Sequence, residues 1–270
     1  MLHPRKSLGQ HFLTDRALLA RIAAATGAGP DHVVLEVGPG PGGLTAALLD
    51  RGAAVVAIER DDRMSAALSR RFAGAPFVLA VGDALELDWH ELVAPMTAAG
   101  KPWIVAGNIP YNITSPLIAK ALTPPLPESV TYLVQREVAD RIVAEPGTSA
   151  YGALTIGVQA VATAASEFTV EKGAFTPRPK VDSAVVRLVP RDPPLVSPDR
   201  IAAFRRLVTS LFSYRRKQMV RALREARGVS ADEAVAQLGC AGIDPGIRPE
   251  DVDIGGFIAL LGCLGPARLP

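Results

Sequence analysis

The sequence predicts a doubly wound α/β sheet followed by a small all-helical domain. Three observations carry that prediction. Short apolar runs alternate with amphipathic, helix-length segments as far as Val134. A glycine-rich turn, Gly38-Pro39-Gly40-Pro41-Gly42-Gly43, follows the first of those runs directly. Beyond a proline-dense stretch at 190–199 the pattern is helical to the end, broken at Gly228, Gly242 and Pro249. Composition agrees: 270 residues at 49% hydrophobic and 21% charged describe a chain with a full core, enough for one large or two modest domains.

Residues 3–14 are basic and polar, and Asp15 then reads as the N-cap of a helix to about Ala25, stopped by Gly27. His32 to Val37 reads as a buried parallel strand, apolar from Val33 onward except at Glu36. The glycine turn leads into a helix over Leu44 to Leu49. A second strand, Ala54 to Ile58, ends at Glu59, 21 residues after Gly38. A helix from Asp61 to Phe72, a strand from Phe77 to Val81 and Gly82-Asp83 make a third unit. Pro102 to Ala106 is a fourth strand, ending in Asn108-Ile109-Pro110-Tyr111, and Ser129 to Val134 a fifth. Tyr151 to Ala165 fits helix or strand by pattern; its length favours helix. Phe168 to Lys172 and Asp182 to Val189 read as two more strands. Prolines at 190, 193, 194 and 198 resist both helix and sheet, so the domains are placed at 1–190 and 191–270. In an open α/β sheet the ligand lies beyond the carboxyl ends of the strands. Gly38, Glu59, Asp83 and Asn108 all fall at such ends.

The glycines satisfy G-x-G-x-x-G, so a nicotinamide dinucleotide has to be weighed. Pro39 and Pro41 lack the N–H groups that a pyrophosphate cradle needs, which argues against it. S-adenosylmethionine suits the acids better, because it carries no phosphate but has an ammonium, a ribose diol and an adenine. Glu36 is placed for the ammonium, directly or through water. Gly38 and Gly40 allow close backbone approach, Glu59 accepts from the ribose hydroxyls, and Asp83 accepts from the adenine amino group. Asn108 and the Ile109 carbonyl, stiffened by Pro110, present two acceptors beside the Tyr111 ring. That is a receptor for an aromatic amine, whose lone pair is delocalised and whose nucleophilicity rises as the nitrogen becomes pyramidal. Positioning and polarisation suffice; the proton of the alkylated nitrogen leaves to water without a dedicated base.

Taken in order, the glycine loop, Glu59, Gly82-Asp83 and Asn108 to Tyr111 resemble the ribosomal RNA adenine N6-dimethyltransferases. Gly9-Gln10-His11-Phe12-Leu13 and the stretch from Phe175 through Pro179 to Arg187 sharpen the match, which covers nearly the whole chain and favours the small-subunit branch. The resemblance implies a Rossmann-like methyltransferase sheet and transfer of two methyl groups to N6 of each of two adjacent adenines in the 3′-terminal hairpin of 16S rRNA, in the immature 30S subunit. It also implies that His11 and Leu13 line the cofactor site together with Gly38, Glu59, Asp83 and Asn108, and that Phe175 faces the target base opposite Tyr111. The family more often carries Asn where this chain has His11, so a ring nitrogen of His11 is expected to supply that hydrogen bond.

Net charge is only +2, but residues 198–230 hold nine basic residues against Asp199 and Glu225, leaving that segment at +7 and the remainder at −5. Arg215, Arg216, Lys217, Arg221 and Arg224 are the expected RNA contacts, with Lys217, Arg221 and Arg224 at i, i+4, i+7 on one helical face. No signal peptide, membrane span or metal site is read from the chain, Cys240 and Cys263 point to a reduced, cytoplasmic setting, and a monomer is expected. Competing readings are a DNA adenine or glutamine methyltransferase, a large-subunit rRNA methyltransferase, and a ribosome-assembly factor whose binding outweighs its chemistry. A dehydrogenase is disfavoured by the prolines.

Overall fold

The computed structural model describes residues 10–98 and 100–264; Gly9 and the residues before it lie outside them. Strand β1 (Phe12–Leu13) is followed by α1 (Arg16–Ala25), β2 (Val33–Val37), α2 (Gly43–Leu49), β3 (Ala54–Glu59), α3 (Asp62–Arg71), β4 (Phe77–Val81), α4 (Trp89–Thr97), β5 (Trp103–Asn108), α5 (Thr114–Ala121) and β6 (Ser129–Gln135). Then come α6 (Arg136–Ile142), α7 (Ala153–Gln159), β7 (Ala162–Val170), β8 (Phe175–Thr176), β9 (Ser183–Pro190), α8 (Pro198–Phe212), α9 (Met219–Arg227), α10 (Ala231–Cys240) and α11 (Ile254–Cys263).

The main sheet has the order β4-β3-β2-β5-β6-β9-β7. Strands β4 to β6 pair in parallel, and β9 turns antiparallel against β6. The order reverses between β2 and β5, so the crevice of a doubly wound sheet opens there. All five residues of β2 are buried, as a strand covered on both faces requires, and this is why its sequence does not alternate. On one face Val34, Val55, Ile104 and Val185 share a core with Leu19, Ile22 and Leu48 of α1 and α2. Asp15, Asp61 and Asp88 cap α1, α3 and α4 by accepting from N–H groups of the first turn.

Two compact units result. The first comprises the described residues through Ala139 together with Ala164–Pro190. The second comprises Asp140–Thr163 and the described residues from Arg191. The proline boundary at 190/191 therefore separates only the C-terminal part of the second unit, because the chain also enters it at 140. Backbone hydrogen bonds explain that membership: Arg191 donates to the Val161 carbonyl and Leu195 to the Ala160 carbonyl. The Tyr151 hydroxyl, in turn, donates to the Val252 carbonyl at 3.0 Å.

Three sequence expectations change. Tyr151 to Ala165 splits into α7 and the start of β7, since the helix ends at Ala160 and the chain then joins the sheet edge. Phe12–Leu13 and Phe175–Thr176, too short for periodicity to register, form a separate two-stranded antiparallel sheet. Cys240 and Cys263 are bonded to each other rather than reduced: they end α10 and α11 with their Cα atoms 6.0 Å apart, within disulfide reach. Among the described residues, no helix is long and apolar enough to cross a membrane.

Candidate active site

One cavity lies at the carboxyl ends of β2, β3, β4 and β5 in the first unit. Its wall includes His11, Leu13, Glu36, Gly38, Gly40, Glu59, Asp83 and Asn108, together with Ile109, Pro110 and Tyr111. The spread of these residues over a hundred positions of sequence is undone by the parallel sheet, which brings its strand ends to one rim.

The glycine turn is spent on itself. Gly38 N–H donates to the Ile58 carbonyl, Gly42 N–H to the Pro39 carbonyl, and Gly40 N–H to Glu59 Oε2 at 3.0 Å. Pro39 and Pro41 have no N–H to offer. A pyrophosphate would thus find no donor at these five positions. Gly40 has φ +54°, and a Cβ there would meet the Phe12 ring at 3.2 Å, so the loop and the segment over it need glycine. Glu59 is 5% exposed and its other oxygen, Oε1, accepts from Asp61 N–H at 2.8 Å. Two backbone donors therefore fix the carboxylate, and each oxygen keeps a lone pair for a ligand hydroxyl. Burial raises its pKa, while the Asp61 and Gly40 N–H groups work in the opposite direction.

Glu36 is 1% exposed and accepts from the Thr45 hydroxyl at 2.6 Å. Burial pushes its carboxyl from 4.5 up to about 7, against the Thr45 bond that favours ionisation. A buried acid held at that value fits a cationic ligand group, whose charge would offset the desolvation. Asp83 is held at both oxygens: Oδ1 accepts from Leu85 N–H at 2.9 Å and Oδ2 pairs with Arg60 Nη1 at 3.0 Å. Lys120 of α5 donates to the carbonyls of Leu85 and Leu87, fixing the loop that follows Asp83 to the helix that follows the Asn108 motif.

At the end of β5, Asn108 Nδ2 donates to the His11 carbonyl at 2.9 Å. A carbonyl can only accept, so this bond fixes the amide orientation and leaves Oδ1 as the side that accepts from a ligand. The Tyr111 hydroxyl bonds Ser183 Oγ at 2.9 Å, and burial raises the phenol pKa, keeping it protonated. Just before the motif, a Cβ on Gly107 would lie 2.5 Å from the Val37 carbonyl oxygen. Only glycine lets β5 approach β2 this closely and carry Asn108 to the rim. His11 Nδ1 lies 2.8 Å from the Pro177 carbonyl, so one ring nitrogen of this side chain bonds to protein.

Against the known families, the chain matches the model for ribosomal RNA adenine dimethylases over residues 1–246. The chain belongs to that family. Relatives include a ribosomal RNA small subunit methyltransferase A of Phenylobacterium zucineum, 44% identical over 261 residues (96% of this chain, 87% of the relative). The protein of the same name from Geobacter metallireducens is 42% identical over 262 residues, 96% of this chain and 94% of the relative. Among solved structures, a dimethyladenosine transferase from Plasmodium falciparum superposes with TM-score 0.78 at 26% identity, covering 93% of this chain and 96% of the other. The 23S rRNA methyltransferase ErmE gives 0.70 at 29% identity, covering 94% and 99%. The protein is thus a methyltransferase of the adenine dimethylase family, with the Rossmann-like fold of those structures.

Within this adenine dimethylase, Phe175 departs from its expected place. It is 3% exposed, pairs with Leu13 across the small sheet, and packs in the core with Leu19 and Leu133. It is not part of the cavity wall. An apolar ring at the start of a short strand is drawn into the core, and the sequence alone does not distinguish that from a clamp. In the second unit, Arg216, Lys217, Arg221 and Arg224 are exposed. Arg215 is not spread on the surface with them: it bonds Glu250 and the Ser149 carbonyl, stapling two loops of its own unit. Lys217 sits in the turn before α9, so it does not share a helical face with Arg221 and Arg224. Thr45, Ser183 and Gly107 were missed by sequence reading. Thr45 gave no signal, whereas Ser183 lay within the stretch from Phe175 to Arg187 and Gly107 stood directly beside the motif.

Proposed function

We propose that this adenine dimethylase uses S-adenosylmethionine to methylate N6 of two adjacent adenosines in the 3′-terminal hairpin of small-subunit rRNA, giving N6,N6-dimethyladenosine in the immature 30S subunit. The observation that carries the reading is the Asn108 amide, held by the His11 carbonyl with Oδ1 left to accept from an aromatic amine beside Tyr111. The names of the relatives support the small-subunit assignment.

The residues present fit the cofactor. Glu59 would take the ribose hydroxyls, Glu36 the ammonium and Asp83 the adenine edge, with Gly38, Gly40 and Leu13 as close walls. When bound, S-adenosylmethionine supplies an electrophilic methyl group. The protein's own part is to hold the acceptor. Asn108 Oδ1 and the Ile109 carbonyl accept the two N–H bonds of the adenine amine, which localises its lone pair on nitrogen. Tyr111, neutral and anchored to Ser183, offers a stacking face. After one methylation a single N–H remains, so the monomethyl base turns to present its lone pair again with one acceptor left idle. Residues 191–270, with Arg216, Lys217, Arg221 and Arg224, act as the RNA-binding domain, and the protein works as a monomer.

The test is radiolabelled methyl transfer onto unmethylated small subunits, with the product nucleoside identified by mass. Labelled N6,N6-dimethyladenosine in 16S rRNA is the expected outcome. Label in large-subunit RNA, or none despite a bound cofactor, overturns the reading.

A further inference from the structure

We infer that Lys120, seated against Trp89, is the positioning residue that sets Asp83 for the cofactor's base, and so lets the site read adenine rather than hypoxanthine. The inference rests on the reading above that Asp83 takes the adenine edge. Asp83 touches the ligand; Lys120 acts on it only through the loop between them.

Asp83 is held through the N–H ends of three consecutive peptides. Leu85 N–H donates to Asp83 Oδ1 at 2.9 Å. Glu86 and Leu87 N–H donate to the Asp83 carbonyl at 3.0 and 3.1 Å. A peptide unit is planar, so whatever fixes its C=O end also aims its N–H. The unit that offers Leu85 N–H carries the Ala84 carbonyl, which accepts from Trp89 Nε1 at 2.8 Å. The unit that offers Glu86 N–H carries the Leu85 carbonyl, which accepts from Lys120 Nζ at 2.8 Å. Lys120 Nζ also donates to the Leu87 carbonyl at 2.6 Å, closing the far end of the loop.

The two backing side chains lie against each other. Trp89 is 2% exposed in the first turn of α4, and the Lys120 ammonium lies 5.5 Å from its ring centre. Lys120 is partly buried; burial lowers its pKa, and nearby Asp88 and Asp83 offset that. A cation is thus desolvated to hold two loop carbonyls, and it stands in the last turn of the helix that follows the acceptor turn.

Chemistry shows what this rigidity serves. A carboxylate oxygen only accepts. Adenine turns an amino N–H toward it, whereas hypoxanthine presents a carbonyl oxygen at the same place. A fixed Asp83 rejects that oxygen, while an Asp83 free to swing turns aside and tolerates either base. The Arg60 partner cannot fix it alone, because its side chain is 67% exposed and a solvated ion pair holds little.

The experiment measures, by calorimetry, the Kd of S-adenosylhomocysteine and S-inosylhomocysteine for full-length wild type, Lys120→Met, Lys120→Arg and Trp89→Phe. Wild type should prefer the adenosyl ligand by at least about tenfold, the weight of one hydrogen bond to a charged acceptor. Lys120→Met keeps the stem and loses the donors, so its preference should fall below about threefold, through weaker adenosyl binding alone. Lys120→Arg is still cationic with several N–H groups, and its preference should stay within about threefold of wild type. In the ligand-free protein, Lys120→Met should speed hydrogen exchange at the Leu85 to Leu87 amides about tenfold. Trp89→Phe removes the other backing bond and should narrow the preference in the same way, so it carries the test if Lys120→Met fails to fold. Equal loss of affinity for both ligands in Lys120→Met, or an undiminished preference, overturns the inference and leaves Asp83 as the adenine ligand. A wild type that binds both ligands alike removes the Asp83 assignment itself, and this inference with it.

Discussion

Glu59 and Arg224 are both charged residues near the end of an element, yet their surroundings are opposite. Glu59 is 5% exposed and each of its oxygens is held by a backbone N–H. Arg224 is exposed in the last turn of α9, and its neighbour on that helix, Arg221, has a single loose contact, 3.9 Å to Glu225. The first arrangement fixes a charge in place at the cost of desolvating it. The second keeps charge in water, free to follow a phosphate backbone of any local shape. A small ligand with fixed stereochemistry calls for the former, and a long polyanion for the latter.

That contrast breaks most visibly at the rim of the sheet. Asn108→Ala removes an acceptor for the amine and also the tether on the His11 carbonyl. The expected loss in kcat is on the order of 10² to 10³, as for removal of one preorganised hydrogen-bonding group from an active site. Cofactor Kd should rise much less, by at most about tenfold. Single-turnover methyl transfer at saturating cofactor separates the two. A loss confined to cofactor Kd would mean that Asn108 only holds the N-terminal segment.

The next effect is one of stability, and it tests whether Glu36 truly bears the cost of burial. Its carboxyl is raised from 4.5 to about 7 by desolvation. The folded chain therefore retains a proton that the unfolded chain has lost, and stability falls as pH rises from about 4.5 to about 7. Glu36→Gln lacks this dependence. Denaturant titrations should show wild type losing ground to the variant by about 3 kcal/mol across that window, the equivalent of a shift of this size. The same variant should bind S-adenosylmethionine more weakly, since it cannot neutralise an ammonium. Equal pH profiles for the two proteins would show that Glu36 ionises without penalty.

What the sequence made legible follows the same division. Parallel strands buried on both faces announce themselves as continuous apolar runs, so β2, β3, β5 and β6 could be placed without coordinates. The edge strand β4, equally apolar in sequence though none of its residues is buried, was placed with them. A two-residue strand has no period, so β1 and β8 were invisible, and with them the pairing that places Phe175 in the core and His11 over Tyr111. Arg215 read as part of a basic run because sequence counts charges and not partners. Its bond to Glu250 spans 35 residues. The helical phase that put Lys217 beside Arg221 assumed a helix that in fact begins only at Met219.

Arg215, set against Arg221 and Arg224, supplies the smallest effect and the finest test of the contrast. If Arg221 and Arg224 are free phosphate contacts, the double reversal Arg221→Glu, Arg224→Glu should lower the slope of log K for RNA against log salt by about two, with little change in melting temperature. Arg215→Ala should do the reverse. It removes a charge-assisted bond worth roughly 1.5–3 kcal/mol and leaves the Ser149 carbonyl without this donor. The melting temperature then drops by several degrees while the salt slope moves by less than one unit. Three residues from one arginine-rich run would thereby divide into phosphate contacts and a staple. The division follows from burial and partners rather than from charge, because an arginine already bonded to a carboxylate releases few counterions when RNA arrives. Equal salt slopes for the double reversal and Arg215→Ala would show that Arg215 leaves Glu250 to meet the RNA, and the contrast between fixed and free charge would fail in the helical unit.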